Sequence, residues 1–239
     1  MKYMGSKNRI AKYILPIILK NRTEGQWYVE PFCGGCNLID KVTGNRIAND
    51  SHFELIEMFK ALQQGWLPPT KVSEIEYLQI QGSTPKAKEL YGDKLDAVRG
   101  VTGFAYSYAA KWFGGYCRGV TKNGVARDYI REGYNNVIKQ LPFIKDIIFS
   151  NTTYNLLVLP DNCIIYCDPP YKNTTKYKQS LDYDHFYAWC RYVKAEGHTI
   201  FISEYSMPDD FKCIWQKEQV SSLTRDTGSK RAIEKLFTL

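Results

Sequence analysis

Apolar side chains recur along this chain with two periods, and the places where one gives way to the other outline its elements. In residues 8–20, Ile10, Tyr13, Ile14, Ile17 and Ile18 keep a helical spacing that Pro16 interrupts, which predicts a first helix with a proline inside it. Short runs at 26–30, 45–49, 146–151, 162–167 and 199–202 have the length and β-branched or aromatic make-up of buried strands. Helical patterns follow several of them: from Leu38 onward, over 53–60 and over 184–196, where Phe186, Trp189, Cys190 and Val193 share a face and Gly197 serves as the C-cap glycine. Over 66–143 the alternation stops. That stretch reads as an inserted lobe with helices near 71–78 and 85–95, then a loop rich in glycine and aromatics at 100–124. The tail adds candidate strands at 213–220 and 233–239 around a polar loop holding Arg225, Lys230 and Arg231. The fold class is therefore α/β: a Rossmann-like sheet built from 1–65 and 144–239, with a mainly helical insertion between.

The run at 162–167 ends in Asp168-Pro169-Pro170-Tyr171. Two prolines forbid both ladder continuation and an immediate helix, so the strand stops and presents its next side chains at its C-terminal edge, where open α/β sheets bind ligands. An acceptor-only carboxylate, a carbonyl held by rigid prolines and an aromatic ring suit a planar base with an exocyclic amine. The carboxylate and carbonyl each accept one N–H, and the ring stacks on the base.

A second ligand-binding feature stands nearer the start. The strand at 26–30 closes in Pro31-Phe32-Cys33-Gly34-Gly35-Cys36-Asn37, whose paired glycines allow a tight turn and close backbone approach to a ligand. Asp50 ends the second strand, the position from which an acidic side chain accepts hydrogen bonds from ribose hydroxyls. Asp50 or Ser51 is also placed to cap the helix that follows.

Composition narrows the setting. With 239 residues, 44% hydrophobic and 24% charged, the chain has the make-up of a soluble globular protein, and no run approaches the roughly 18 apolar residues of a membrane span. Its opening residues lack a signal-peptide core, so a cytoplasmic setting is expected, and seven cysteines form no disulfide framework. Cys33 and Cys36 have no second pair at ligand spacing, so no metal is expected. The net charge of +7 is compatible with a polyanionic partner. Lys111, Arg118, Lys122 and Arg127 interleave with Tyr106, Tyr108, Trp112, Phe113 and Tyr116, the mixture that phosphate contacts and base stacking need.

Taken in order, Tyr3-Met4-Gly5-Ser6-Lys7, Glu30-Pro31-Phe32-Cys33-Gly34-Gly35, Asn49-Asp50, Asp168-Pro169-Pro170-Tyr171, Ile202-Ser203-Glu204-Tyr205 and Glu234-Lys235-Leu236-Phe237 run from one end of the chain to the other. This series resembles the Dam-type, D12 class, DNA adenine-N6 methyltransferases. The resemblance implies a methyltransferase sheet, S-adenosylmethionine as donor and duplex DNA as partner; a monomer is the favoured expectation, and a phage, restriction-modification or regulatory setting stays open. It also implies donor contacts from Tyr3, Lys7, Phe32, Gly34, Asp50 and Asp168, with Lys7 suited to the donor carboxylate. Asp168, Pro169 and Tyr171 would act on a flipped-out adenine, and Lys111, Tyr116, Arg118 and Arg127 in the 66–143 target-recognition lobe would meet DNA. Two departures stand out: the family turn wants glycine where Cys36 stands, and the lobe keeps only a loose echo of the family's glycine-tyrosine-arginine loop in 112–119. Methylation of cytosine N4 or of RNA adenine, and an idle DNA-binding relative, are the competing readings.

Overall fold

In the computed structural model, which describes residues 1–120, 124–171, 181–220 and 231–239, seven strands form one sheet. They are β1 (Tyr28–Glu30), β2 (Arg46–Asn49), β3 (Ile148–Ser150), β4 (Ile164–Cys167), β5 (Thr199–Glu204), β6 (Lys212–Val220) and β7 (Arg231–Thr238), in the spatial order β3-β2-β1-β4-β5-β7-β6. Strands β1 to β5 are parallel, and β7 runs antiparallel between β5 and β6. The winding reverses between β1 and β4, which makes the exits of those two strands the crevice where a doubly wound sheet binds ligands. The glycine turn leaves β1 there, and Asp168 leaves β4.

Every residue of β1, β2 and β4 is buried, as parallel strands covered on both faces require. Side chains alternate between two cores. Tyr28, Ile164, Tyr166 and Phe201 face helices α1 (Ala11–Ile18), α2 (Phe53–Gln63) and α5 (Leu95–Phe104); Val29, Ile165, Cys167, Ile200 and Ile202 face α7 (Tyr183–Ala195) through Phe186, Trp189, Cys190 and Val193. Each fully buried aliphatic or aromatic side chain contributes roughly 1.5–3 kcal/mol. Asp182 caps α7 by accepting the His185 N–H, and Gly197, at φ +90°, ends it.

The insertion carries α3 (Glu74–Gln81), α4 (Pro85–Tyr91), α5 and α6 (Tyr129–Ile144). It shares a core with the sheet, because Val72, Tyr77, Ile80, Val98 and Val101 join the buried cluster of α1 and α2. Three elements differ from the pattern-based expectation. Residues 100–104 are helix, since Gly100 and Gly103 serve packing: an added Cβ would stand 2.2 Å from the Glu54 carbonyl oxygen at Gly100 and 2.3 Å from the Trp112 ring at Gly103. The segment after Leu38 is a single 3-10 turn, Ile39–Lys41, because Gly44 and β2 leave no room for more. Helix α6, unremarked in the sequence pattern, starts under an Asp128 cap and buries Ile130, Val137, Gln140 and Ile144 on one face. Lys122, Arg225 and Lys230 lie outside the described residues.

Among the described residues no helix is long and apolar enough to cross a membrane, and no group of three or more His, Cys, Asp or Glu is placed to hold a metal.

Candidate active site

The exit of β4 places Asp168 in an open cleft of about 2540 Å³, which Tyr3, Lys7, Phe32, Gly34, Asp50, Pro169 and Tyr171 also line. Pockets that hold one small ligand are roughly 300–1,000 Å³, so this cleft has room for more than one group. Of the lobe residues singled out in the sequence, Tyr108, Lys111, Trp112 and Arg118 reach its wall. Tyr116 and Arg127 do not line it.

Lys7 occupies a 3-10 turn, Lys7–Arg9, introduced by Ser6, whose hydroxyl accepts the Asn8 N–H. Its side chain is 8% exposed, and its ammonium stands 3.0 Å from Asp168 Oδ1, 3.2 Å from the Gly5 carbonyl and 3.7 Å from Glu234 Oε2. Three donors thus face three acceptors of the protein itself. Burial pushes the Asp168 carboxyl up to about 6, although the Lys7 charge and hydrogen bond pull the other way. Burial works to lower the Lys7 ammonium, but Asp168 and Glu234 outweigh it and the net direction is upward, so Lys7 stays a cation. The Tyr171 hydroxyl donates to Glu234 Oε2 at 2.8 Å; its ring meets Tyr205 edge-on at 4.6 Å, and Lys7 Nζ lies 4.6 Å from the ring centroid. Tyr183 donates its hydroxyl to the Pro170 carbonyl. The Pro169 carbonyl accepts no hydrogen bond from the described residues.

The turn after β1 is held from three sides. The Gly34 N–H donates to Asp50 Oδ2 at 3.0 Å, and Asp50 Oδ1 accepts the His52 N–H at 2.9 Å. Asp50 therefore ties the turn to the start of α2, whose N-cap is His52, so Asp50 is not itself the capping residue. Burial raises the Asp50 carboxyl, and the His52 and Gly34 N–H groups oppose that rise. Gln140 of α6 donates to the Gly35 and Cys36 carbonyls, both at 3.0 Å. Tyr3 lies on the glycines themselves: an added Cβ would come within 2.6 Å of Tyr3 atoms at both Gly34 and Gly35. The close approach these glycines allow is thus used by Tyr3. Cys36 has φ +54°, the left-handed region that favours glycine, which explains in backbone terms why glycine suits this position. Phe32 stacks on Tyr154 at 5.3 Å and meets Phe186 edge-on.

In the lobe, Arg118 pairs with Glu74 and Arg127 with Glu132, while Lys111 is exposed and makes no ion pair among the described residues. Tyr116 turns inward: its hydroxyl donates to the Val72 carbonyl at 3.0 Å and its ring meets Tyr77 edge-on.

Sequence reasoning gave no role to Glu30 or Glu234. Glu30 is 3% exposed, accepts the Tyr28 hydroxyl at 2.9 Å, and is held well above the usual carboxyl range by burial. Both stood in stretches that carried the resemblance, and that was their only signal.

The family model for D12 class N6 adenine-specific DNA methyltransferases matches residues 3–227. No curated protein matches the chain. Among solved structures, the crystal structure of SMU.472 complexed with SAH aligns over 98% of this chain and 52% of its own, at 12% identity and a TM-score of 0.41, so the present chain spans about half of that protein's length. With its family match reaching over nearly the whole sequence, this chain belongs to the D12 class N6 adenine-specific DNA methyltransferase family.

Proposed function

We propose that this protein transfers a methyl group from S-adenosylmethionine to N6 of an adenine extruded from duplex DNA. One observation carries the reading: the Asp168 carboxylate and the Pro169 carbonyl leave β4 in the same cleft as the glycine turn and Asp50, across the point where the sheet reverses its winding. The donor set fits a nucleoside with an amino-acid tail. Asp50 keeps lone pairs for ribose hydroxyls beyond the two N–H groups it already accepts, and Phe32 offers an apolar wall. Tyr3, which lines the same cleft, packs directly on the turn. S-adenosylmethionine, when bound, supplies an electrophilic methyl on a sulfonium.

The chain's own residues do the remainder. The exocyclic amine of adenine is a weak nucleophile because its lone pair is delocalised into the ring. By accepting its two N–H groups, Asp168 and Pro169 favour a pyramidal nitrogen and stabilise the positive charge that grows there. Lys7, committed to Asp168, Glu234 and the Gly5 carbonyl, keeps that carboxylate ionised and oriented rather than serving the donor carboxylate. Fixing amine and methyl in line supplies roughly 7–11 kcal/mol of the barrier. Extruding the base costs a few kcal/mol, part of which stacking on Tyr171 offsets. Lys111, Arg118 and Arg127 are assigned to DNA phosphates, the two arginines exchanging a carboxylate for a phosphate on binding. Tyr116 supports their loop from inside.

Incubation with methyl-labelled donor and duplex DNA, RNA or no nucleic acid, followed by nucleoside analysis, tests this. Label in N6-methyladenine from the duplex is expected. Label in N4-methylcytosine, in RNA, or nowhere overturns the reading.

A further inference from the structure

An antiparallel strand enters a sheet at the edge where parallel strands leave it. β7 does this beside β5, with Lys235 paired to Glu204 at the last residue of β5, and so delivers Glu234 to the edge that holds Asp168. Glu234 Oε2 accepts the Tyr171 hydroxyl at 2.8 Å and stands 3.7 Å from the Lys7 ammonium, which is itself 3.0 Å from Asp168. Its side chain is 17% exposed. One carboxylate thus grips both groups that flank Asp168.

We propose that Glu234 is a positioning residue for methyl transfer: it fixes the Tyr171 ring and shares Lys7 with Asp168, so that the amine-accepting carboxylate is held without being fully neutralised. This deepens the function proposed above and rests on Asp168 as the amine acceptor. Packing alone does not ask for a second carboxylate here, since like charges brought together at a partly buried site oppose one another. The groups facing Asp168 are Lys7, Glu30 from β1, Tyr166 and Cys167 from β4, Tyr171, Tyr205 after β5, and Glu234. Among these, Glu234 is the like charge that raises Asp168 and Lys7 the opposite charge that lowers it.

The test follows the Asp168 carboxyl by carbon-13 NMR across pH in the wild-type protein and in Glu234→Gln, beside methyl-transfer kinetics of both and of Glu234→Ala. Glutamine still accepts the Tyr171 hydroxyl but carries no charge. The Asp168 midpoint is therefore expected to fall below its wild-type value, and the acid limb of the kcat profile to move with it, while KM for DNA stays within about twofold. Alanine also removes the acceptor, and its kcat is expected about tenfold below that of Glu234→Gln. An Asp168 midpoint unmoved in Glu234→Gln, or equal kcat in the two variants, overturns the proposal. A wild-type protein that methylates no DNA refutes the transfer reading instead, and the NMR midpoint still decides whether Glu234 acts on Asp168.

Discussion

Lys7 at the sheet edge and Arg118 and Arg127 of the lobe are all ion-paired, but water treats the pairs differently. Lys7 and Asp168 are 8% and 21% exposed, and their partners Glu234 and Tyr171 bind each other as well, so removing one member leaves a poorly solvated charge behind. Arg118 and Arg127 are 72% and 45% exposed, and their pairs with Glu74 and Glu132 are screened by solvent and salt. On the function proposed above, the difference separates a preorganised catalytic edge from a surface free to trade partners. A base-binding site has to be in place before the base arrives, whereas a phosphate-binding arginine only needs a carboxylate it can release.

Substitutions sharpen that contrast. The largest effect is expected at Asp168→Ala, with kcat down by about 10²–10³-fold or more while donor binding, followed by calorimetry, is retained. Lys7→Met comes next. Without the ammonium, the two carboxylates face each other and Asp168 titrates above its wild-type value of about 6. Transfer depends on the ionised form, so wild-type kcat is expected to rise as pH climbs through about 6. In Lys7→Met the acid limb moves to higher pH, and a pH–rate profile measures the displacement. A limb that stays in place would put the lobe and the sheet edge on the same footing. The smallest effects belong to the lobe. Lys111→Ala should weaken DNA binding and reduce the slope of log K against log salt by about 1. Arg118→Ala should do the same while leaving the denaturant midpoint of unfolding essentially where it is, because an exposed pair contributes little to stability.

The same contrast accounts for what could be read from the sequence. The exit of β4 was legible because its signals are local: an apolar run, then two prolines. The glycine turn was legible for the same reason, and the positive φ of Cys36 shows why its pattern prefers glycine. Gly100 and Gly103 read as loop residues because a glycine's meaning depends on what approaches it, here the Glu54 carbonyl and the Trp112 ring from elsewhere in the fold. Replacing Gly100 with alanine should destabilise the protein by about 1–3 kcal/mol, measured by denaturant unfolding, since the clash is with backbone that cannot yield cheaply. The pairing of Lys7 with Asp168 and the arrival of Glu234 were not legible, because an apolar pattern identifies a strand but not its direction in the sheet. Tyr116 looked like a stacking residue on composition, yet its hydroxyl and ring are taken up by Val72 and Tyr77.

The most direct measurement is a crystal structure of the protein with duplex DNA and the demethylated donor. An adenine outside the helix is expected, its amine within about 2.6–3.2 Å of both the Asp168 carboxylate and the Pro169 carbonyl. An adenine still stacked in the duplex, or an extruded base whose amine meets neither oxygen, would contradict the account.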